Sequence, residues 1–362
     1  MSRPACAQVD AGALKHNLHE VRRLAPQARV MAIVKANAYG HGLAWAARVL
    51  SGVTDAFGVS SIEEGLALRE AGITRPICLL EGFFTADELP VIAKHRLSPT
   101  IHLEKQLNAL IEAPPSLQLS VWVKIDTGMH RLGFMPSAVP DTLKKLRACP
   151  AVAEIRVMSH FARADMAADT ETKTQIENFK SLTGTLGLES SLANSAGILA
   201  WPQSHLDWVR PGIMLYGISP MEHPGTIKSD LKPVMTLKTA LIAVHSRRKG
   251  EAIGYGGDWR CPQDMPVGVA AIGYGDGYPR HARAGTPVLV NGQRVPLIGR
   301  VSMDMITLDL RTQPRASEGD PVVLWGPELP VDEVAQCAGT ISYELLCHVT
   351  DRIPRVTVSR ET

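Results

Sequence analysis

Lys35 closes an apolar run. In "VMAIVKANAYGHG", Val30 to Gly42, it follows Met31-Ala32-Ile33-Val34 and precedes an Asn-Ala-Tyr-Gly-His-Gly turn. A buried ammonium without a partner is costly. The side chain therefore either reaches solvent at a strand end or is placed there for chemistry, as a nucleophile or a base. The ends of further strand-like runs carry Ser60, Glu81, His102, Asp126 with Arg131 just beyond, His160, Ser195 and Arg210. Each has an ordinary reading: His160 as a satisfied core histidine, Arg210 as the partner of a nearby acid. As a set, on otherwise apolar segments, they mark a site.

The elements that would position this set alternate. Strand-like runs are "VMAIVKA", "DAFGVSS", "PICLLE", "SPTIHL", "SVWVKIDT", "EIRVMSHF", "SSLANS" and "WVRPGIMLYG". Between them, "ALKHNLHEVRRLA", "EEGLALREAG", "ADELPVIAKHR", "LEKQLNALIEA" and "TETKTQIENFKSLTGTLG" have helical periodicity. Eight strands alternating with helices, about 25 residues apart, predict a (β/α)8 TIM-type barrel, with chemistry at the strand ends. An open doubly wound sheet would read the same way, because periodicity does not show closure.

Beyond about residue 230 the texture changes to β runs punctuated by glycine and proline, with "VDEVAQCAG" and "SYELLCHV" as late helices. "PVLV-NG-QRVPLI" predicts a hairpin, since Asn-Gly adopts the positive φ angles of a type I′ turn. The expected division is a barrel over residues 1–230 and a smaller, mostly β domain over 231–362.

Composition excludes several classes. The 362 residues are 45% hydrophobic and 20% charged, which argues for a sizeable core and against disorder. A net charge of +2, without a basic stripe, leaves no footprint for nucleic acid. No apolar run reaches the roughly 18 residues of a membrane span, and the N-terminus lacks a signal-peptide core. The cysteines at 6, 78, 149, 261, 337 and 347 form no framework, which fits reduced thiols in a cytoplasm. Cys347 and His348 are two candidate ligands without further partners, so no metal is expected.

"VKANAYGHG" closely resembles the cofactor-attachment segment of bacterial alanine racemases. "KIDTGMHRLGF", "SHFA", "ANSAG", "VRPGIMLYG", "AIGYG", "IGYGDGYPR", "GRVSMDM" and "ISYEL" follow in family order over nearly the whole chain. The resemblance implies a barrel plus a β domain, pyridoxal phosphate as cofactor, alanine as substrate and a homodimer with sites built from both chains.

It also implies roles. Lys35 would carry the cofactor and, once freed, act as a base on one face of Cα. Tyr255 of the partner subunit would be the second base, tuned through His160. Arg210 would donate to the pyridine nitrogen, where related enzymes that want a strong electron sink place a carboxylate. Tyr39, Ser195, the amides of Gly212 and Ile213, and Tyr343 would hold the phosphate. Arg131 and the Met303 amide would take the substrate carboxylate, and Lys124 would support Arg131 as a carbamate. Tyr274 and Tyr343 would line the entrance. Several relatives have cysteine where this chain has Ser302.

Three rivals compete. "GYGDGY" has G-x-G spacing but lacks the helix a dinucleotide site needs. A non-enzymatic pyridoxal-phosphate carrier on a similar barrel would lack the second domain and Tyr255. A related decarboxylase would place an acid where Arg210 stands.

Overall fold

The structure is a computed structural model that describes residues 3–222 and 227–358. The chain divides into two units, one of Leu14–Ala38 and Leu43–Leu231, the other of Met1–Ala13, Tyr39–Gly42 and Lys232–Thr362.

The first unit is a closed parallel barrel. Its strands are β2 (Arg29–Ile33), β3 (Ala56–Val59), β4 (Ile77–Leu79), β5 (Leu97–Ile101), β6 (Leu119–Lys124), β7 (Val152–Met158), β8 (Ser190–Asn194) and β9 (Trp208–Arg210). β2 pairs in parallel with both β3 and β9, with Met31 opposite Ala56 and Val30 opposite Val209, and that closes the ring. Parallel strands covered on both faces read as continuous apolar runs, and β3 and β4 are buried throughout. The eighth run is shorter than its sequence suggested. Strand β9 stops at Arg210, and after Pro211 and Gly212 the segment Ile213–Tyr216 coils into a 3-10 turn.

Trp122, midway along β6, and Trp208, the first residue of β9, meet edge to face at 6.0 Å, and Arg29, the first residue of β2, lies 4.3 Å over the Trp208 ring. Glu189 accepts from Arg156 at 2.9 Å and Trp208 Nε1 at 3.0 Å, and also pairs with Arg29. This polar and aromatic floor leaves the opposite end, at the strand C-termini, for a site.

The second unit is antiparallel apart from one strand pair. β10 (Met235–Arg247) pairs with β17 (Pro321–Trp325) along one stretch and with β13 (Met265–Ala270) along the next. With β14 (Pro287–Val290), β15 (Gln293–Ile298) and β16 (Ile306–Asp309), these strands form a ring. β1 (Cys6–Asp10) extends it, antiparallel to β10 and parallel to β18 (Arg355–Val358). The predicted hairpin is present: Asn291 and Gly292 have φ of 51° and 76°, between the paired residues Val290 and Gln293. No helix among the described residues is long and apolar enough to cross a membrane.

Candidate active site

Lys35 stands just past β2, at the head of an unusual turn. Ala36, Asn37 and Ala38 all have φ of 53°, with ψ of 53°, 43° and 50°: a left-handed helical turn built without glycine. Such a conformation costs roughly 1–2 kcal/mol per residue in an L chain, so neighbouring bonds must hold it. Ala38 N–H donates to the Val34 carbonyl at 2.8 Å, Leu43 N–H to Asn37 Oδ1 at 2.8 Å, and Ala36 N–H to Glu64 Oε1 at 2.7 Å. At β2's end, Tyr216 Oη donates to the Ile33 carbonyl at 3.0 Å.

Around this lysine the barrel mouth collects positive charge. Lys124 ends β6, Arg210 ends β9, His160 follows β7, and Arg131 lies in the loop after β6. Burial, then Arg210, Arg131 and Lys35, push the Lys124 amine down to about 8. Burial lowers Arg210 to about 10, so it stays protonated at neutral pH. Burial and the same four cations hold His160 well below the ordinary imidazole range, as a neutral ring. Cations crowded this closely make the mouth a place where an anion is favourable.

Arg210 meets only neutral acceptors among the described residues: the Ser191 hydroxyl at 2.6 Å and the carbonyls of Ser159 at 2.5 Å and Leu192 at 3.3 Å. Ser159 and Ser191 were not singled out in the sequence. Their only signal there was a hydroxyl inside an apolar run. Asp126, by contrast, belongs to the loop's architecture. It accepts from the amides of Gly128, Met129 and His130 at 3.0–3.1 Å and shapes the turn that carries Arg131. Gly133 closes that loop with φ of 130°, where a Cβ would lie 2.7 Å from the Asp126 nitrogen.

Ser195 opens the short helix Ser195–Ala200, and its Oγ accepts from Gly212 N–H at 2.8 Å and Met214 N–H at 3.4 Å. With its lone pairs engaged, the hydroxyl proton is left to donate. Gly212's amide is committed to Ser195, while Ile213 begins the 3-10 turn. Such donors, without an acid, suit a phosphate.

The second unit carries the remaining candidates. The Tyr39 and Tyr343 rings lie 6.1 Å apart. Burial, Tyr343 and Cys347 push the Tyr39 hydroxyl well up, so it remains a donor. Tyr255 sits between the two-residue strands β11 (Ala252–Ile253) and β12 (Trp259–Arg260), with its side chain 67% exposed. Ile253 and Cys261 anchor this hairpin against Met265, Val267 and Ile298. Tyr274 and Met303 are neighbours: Tyr274 N–H donates to Ser302 O at 3.0 Å and Gly275 N–H to Met303 O at 2.8 Å. Gly273 permits that approach, because a Cβ there would lie 2.2 Å from Ser302 O. Asp276, fully buried, fixes the same loop through Arg3 at 2.5 and 2.7 Å.

These groups fit pyridoxal phosphate: a strand-end amine, phosphate donors, and a buried guanidinium with no carboxylate partner among the described residues. Comparison with known proteins identifies a family. Residues 9–220 match the family described as alanine racemase, N-terminal domain, and residues 234–357 match alanine racemase, C-terminal domain. The chain is 56% identical over 350 residues to an alanine racemase of Nitrosococcus oceani, covering 96% of this chain and 98% of that one. It is 51% identical over 350 residues to one of Aeromonas hydrophila, with the same coverage. The crystal structure of the biosynthetic alanine racemase from Pseudomonas aeruginosa superposes with a TM-score of 0.93 at 45% identity, covering 98% of this chain and 99% of that one.

Proposed function

The chain belongs to the alanine racemase family, and we propose that it interconverts L- and D-alanine with pyridoxal phosphate attached to Lys35. The observation that carries this reading is Lys35 at a strand end in a mouth lined by Lys124, Arg131, His160 and Arg210. When bound, the cofactor supplies the electron sink that makes the Cα proton of alanine removable.

The chain's own residues do the rest. The Lys35 amine takes or returns a proton on one face of Cα, and Tyr255 of the partner subunit serves the other face. Its exposure on an anchored hairpin suits delivery to a second copy of the chain, with each β unit completing the partner's site. His160, neutral, links Tyr255 of the partner subunit to Arg210. The Arg210 guanidinium keeps its proton and donates to the pyridine nitrogen. That weakens the sink and disfavours side reactions. Tyr39, Ser195, Tyr343 and the Ile213 amide hold the phosphate, while the Gly212 amide, bonded to Ser195 Oγ, orients that hydroxyl instead of meeting the phosphate itself. Arg131 and the Met303 amide orient the substrate carboxylate, and Tyr274 with Tyr343 narrows the entrance.

Lys124 has an amine near pH 8 beside Arg131, which supports a carbamate there. The added anion would hold the Arg131 guanidinium in place. No disulfide forms among the described residues, in keeping with a cytoplasmic enzyme.

A non-enzymatic carrier is disfavoured by the matched C-terminal domain, and a decarboxylase by Arg210. The test is a racemisation assay on the purified protein with several amino acids, with and without added pyridoxal phosphate. Alanine turnover that needs the cofactor is expected; none with alanine would overturn the reading.

A further inference from the structure

We propose that Glu64 is a positioning residue for Lys35: its carboxylate fastens the left-handed turn that aims the lysine amine. This rests on the reading of Lys35 as the attachment lysine. Glu64 lies in the first turn of the helix Ile62–Glu70, where a negative charge meets the positive end of the helix dipole. One of its oxygens accepts from Ala36 N–H at 2.7 Å, the amide directly after Lys35. The other accepts from Ser60 N–H at 2.8 Å, just beyond β3. A single carboxylate thus ties together the ends of adjacent strands β2 and β3, on the face where Lys35 emerges.

The Ala36 amide takes its acceptor from outside its own turn. The first N–H groups of a helical turn have no partner within it, and that holds for a left-handed turn as for a right-handed one. Without Glu64, the Ala36 amide loses its acceptor at the point where φ changes sign, between Lys35 and Ala36. The four residues in the unfavourable region, Ala36 to Tyr39, then have less to hold them there. Relaxation of Ala36 rotates the peptide after Lys35, and with it the direction of the side chain. Of the residues that would bind phosphate, only Tyr39 lies in this turn, while Ser195, Ile213 and Tyr343 are on other segments, so covalent attachment should suffer more than cofactor binding.

Attachment is a condensation. The neutral Lys35 amine adds to the aldehyde carbon of pyridoxal phosphate, the nitrogen gives up its protons, and one water leaves. It depends on the direction of approach, and a misplacement on the order of 1 Å costs up to about 100-fold in rate. Glu64→Gln keeps the side chain's length and one good acceptor oxygen but turns an NH2 toward the second amide. Glu64→Ala removes both acceptors.

The experiment strips cofactor from wild type, Glu64→Gln and Glu64→Ala and adds back pyridoxal phosphate. Total bound cofactor is measured by equilibrium dialysis. Attached cofactor is measured over time as borohydride-fixed label on the Lys35 peptide. Attachment should slow about 10- to 100-fold in Glu64→Ala and by an intermediate factor in Glu64→Gln, with total binding at most a few-fold weaker. A purely structural role would lower the folded fraction and leave attachment per bound cofactor unchanged. That result in the folded Glu64→Gln protein overturns the proposal even if Glu64→Ala does not fold. A wild-type adduct that maps to another lysine overturns the underlying reading instead.

Discussion

Arg210 donates to the Ser191 hydroxyl at 2.6 Å, and both side chains are buried. The pair fixes the guanidinium at the end of β9. Ser191→Ala leaves one buried donor without its acceptor, at a cost of about 1–3 kcal/mol. The denaturation midpoint should fall and pyridoxal phosphate should leave faster. Unchanged values for both would remove Ser191 from this role.

Lys124 should respond to carbon dioxide and to pH. With its amine near 8 instead of 10.5, about 300 times more of it is neutral at pH 7 than for an ordinary lysine. The neutral amine is the form that takes up carbon dioxide, so labelled bicarbonate should give a carbonyl carbon signal that is absent in Lys124→Ala. Loss of the anion behind Arg131 should lower kcat/KM for alanine about 10- to 100-fold, the range of one charge-assisted contact. Without carbon dioxide, the lowered folded pKa means that the charged form opposes folding. Stability should then rise with pH between about 8 and 10.5.

Mixed dimers test the shared site. Lys35→Ala and Tyr255→Phe homodimers should each be nearly inactive. After random exchange of equal amounts, about half the dimers are mixed, and each has one intact site, so roughly a quarter of wild-type activity should return. If tagged subunits show exchange and activity stays at the level of the separate mutants, the two bases do not come from different chains.

The barrel floor should govern acid stability. Burial acts to raise the Glu189 carboxyl, but its bonds to Arg29, Trp208 and Arg156 outweigh that and hold it at about 2, below the ordinary 4.5. This stabilisation is present above about pH 4.5 and is lost as pH falls toward 2. The carboxylate is 36% exposed, so solvent screening reduces its worth to about 1–2 kcal/mol at pH 7. Glu189→Gln should lower the melting midpoint at pH 7, with the gap closing toward pH 2. A gap independent of pH would mean that packing, not charge, is what Glu189 supplies.

Much of this architecture was legible. The eight barrel strands stood out because burial on both faces makes them continuous apolar runs, and Asn291-Gly292 marked its hairpin. The left-handed turn after Lys35 was not legible, since three of its four residues, two alanines and a tyrosine, have no preference for positive φ. Glu64 read as one acid in a helical pattern, because its bonds go to amides of other segments. Asp126 looked like part of the polar ring, yet its oxygens are used by its own loop. Strand β1 gave no sign that it would pair with β10 and β18, because pairing across such a separation leaves no local pattern.

That last pairing bears on how the chain is made. On a ribosome adding about 5–20 residues each second, β1 emerges roughly 10–45 s before β10, its first partner. β18, its other neighbour, comes later still. During that wait β1 exposes an unsatisfied edge, while every strand of the barrel has already been synthesised. Until β10 leaves the ribosome, β1 should therefore stand as an unpaired strand at the head of the growing chain, open to pairing with other chains.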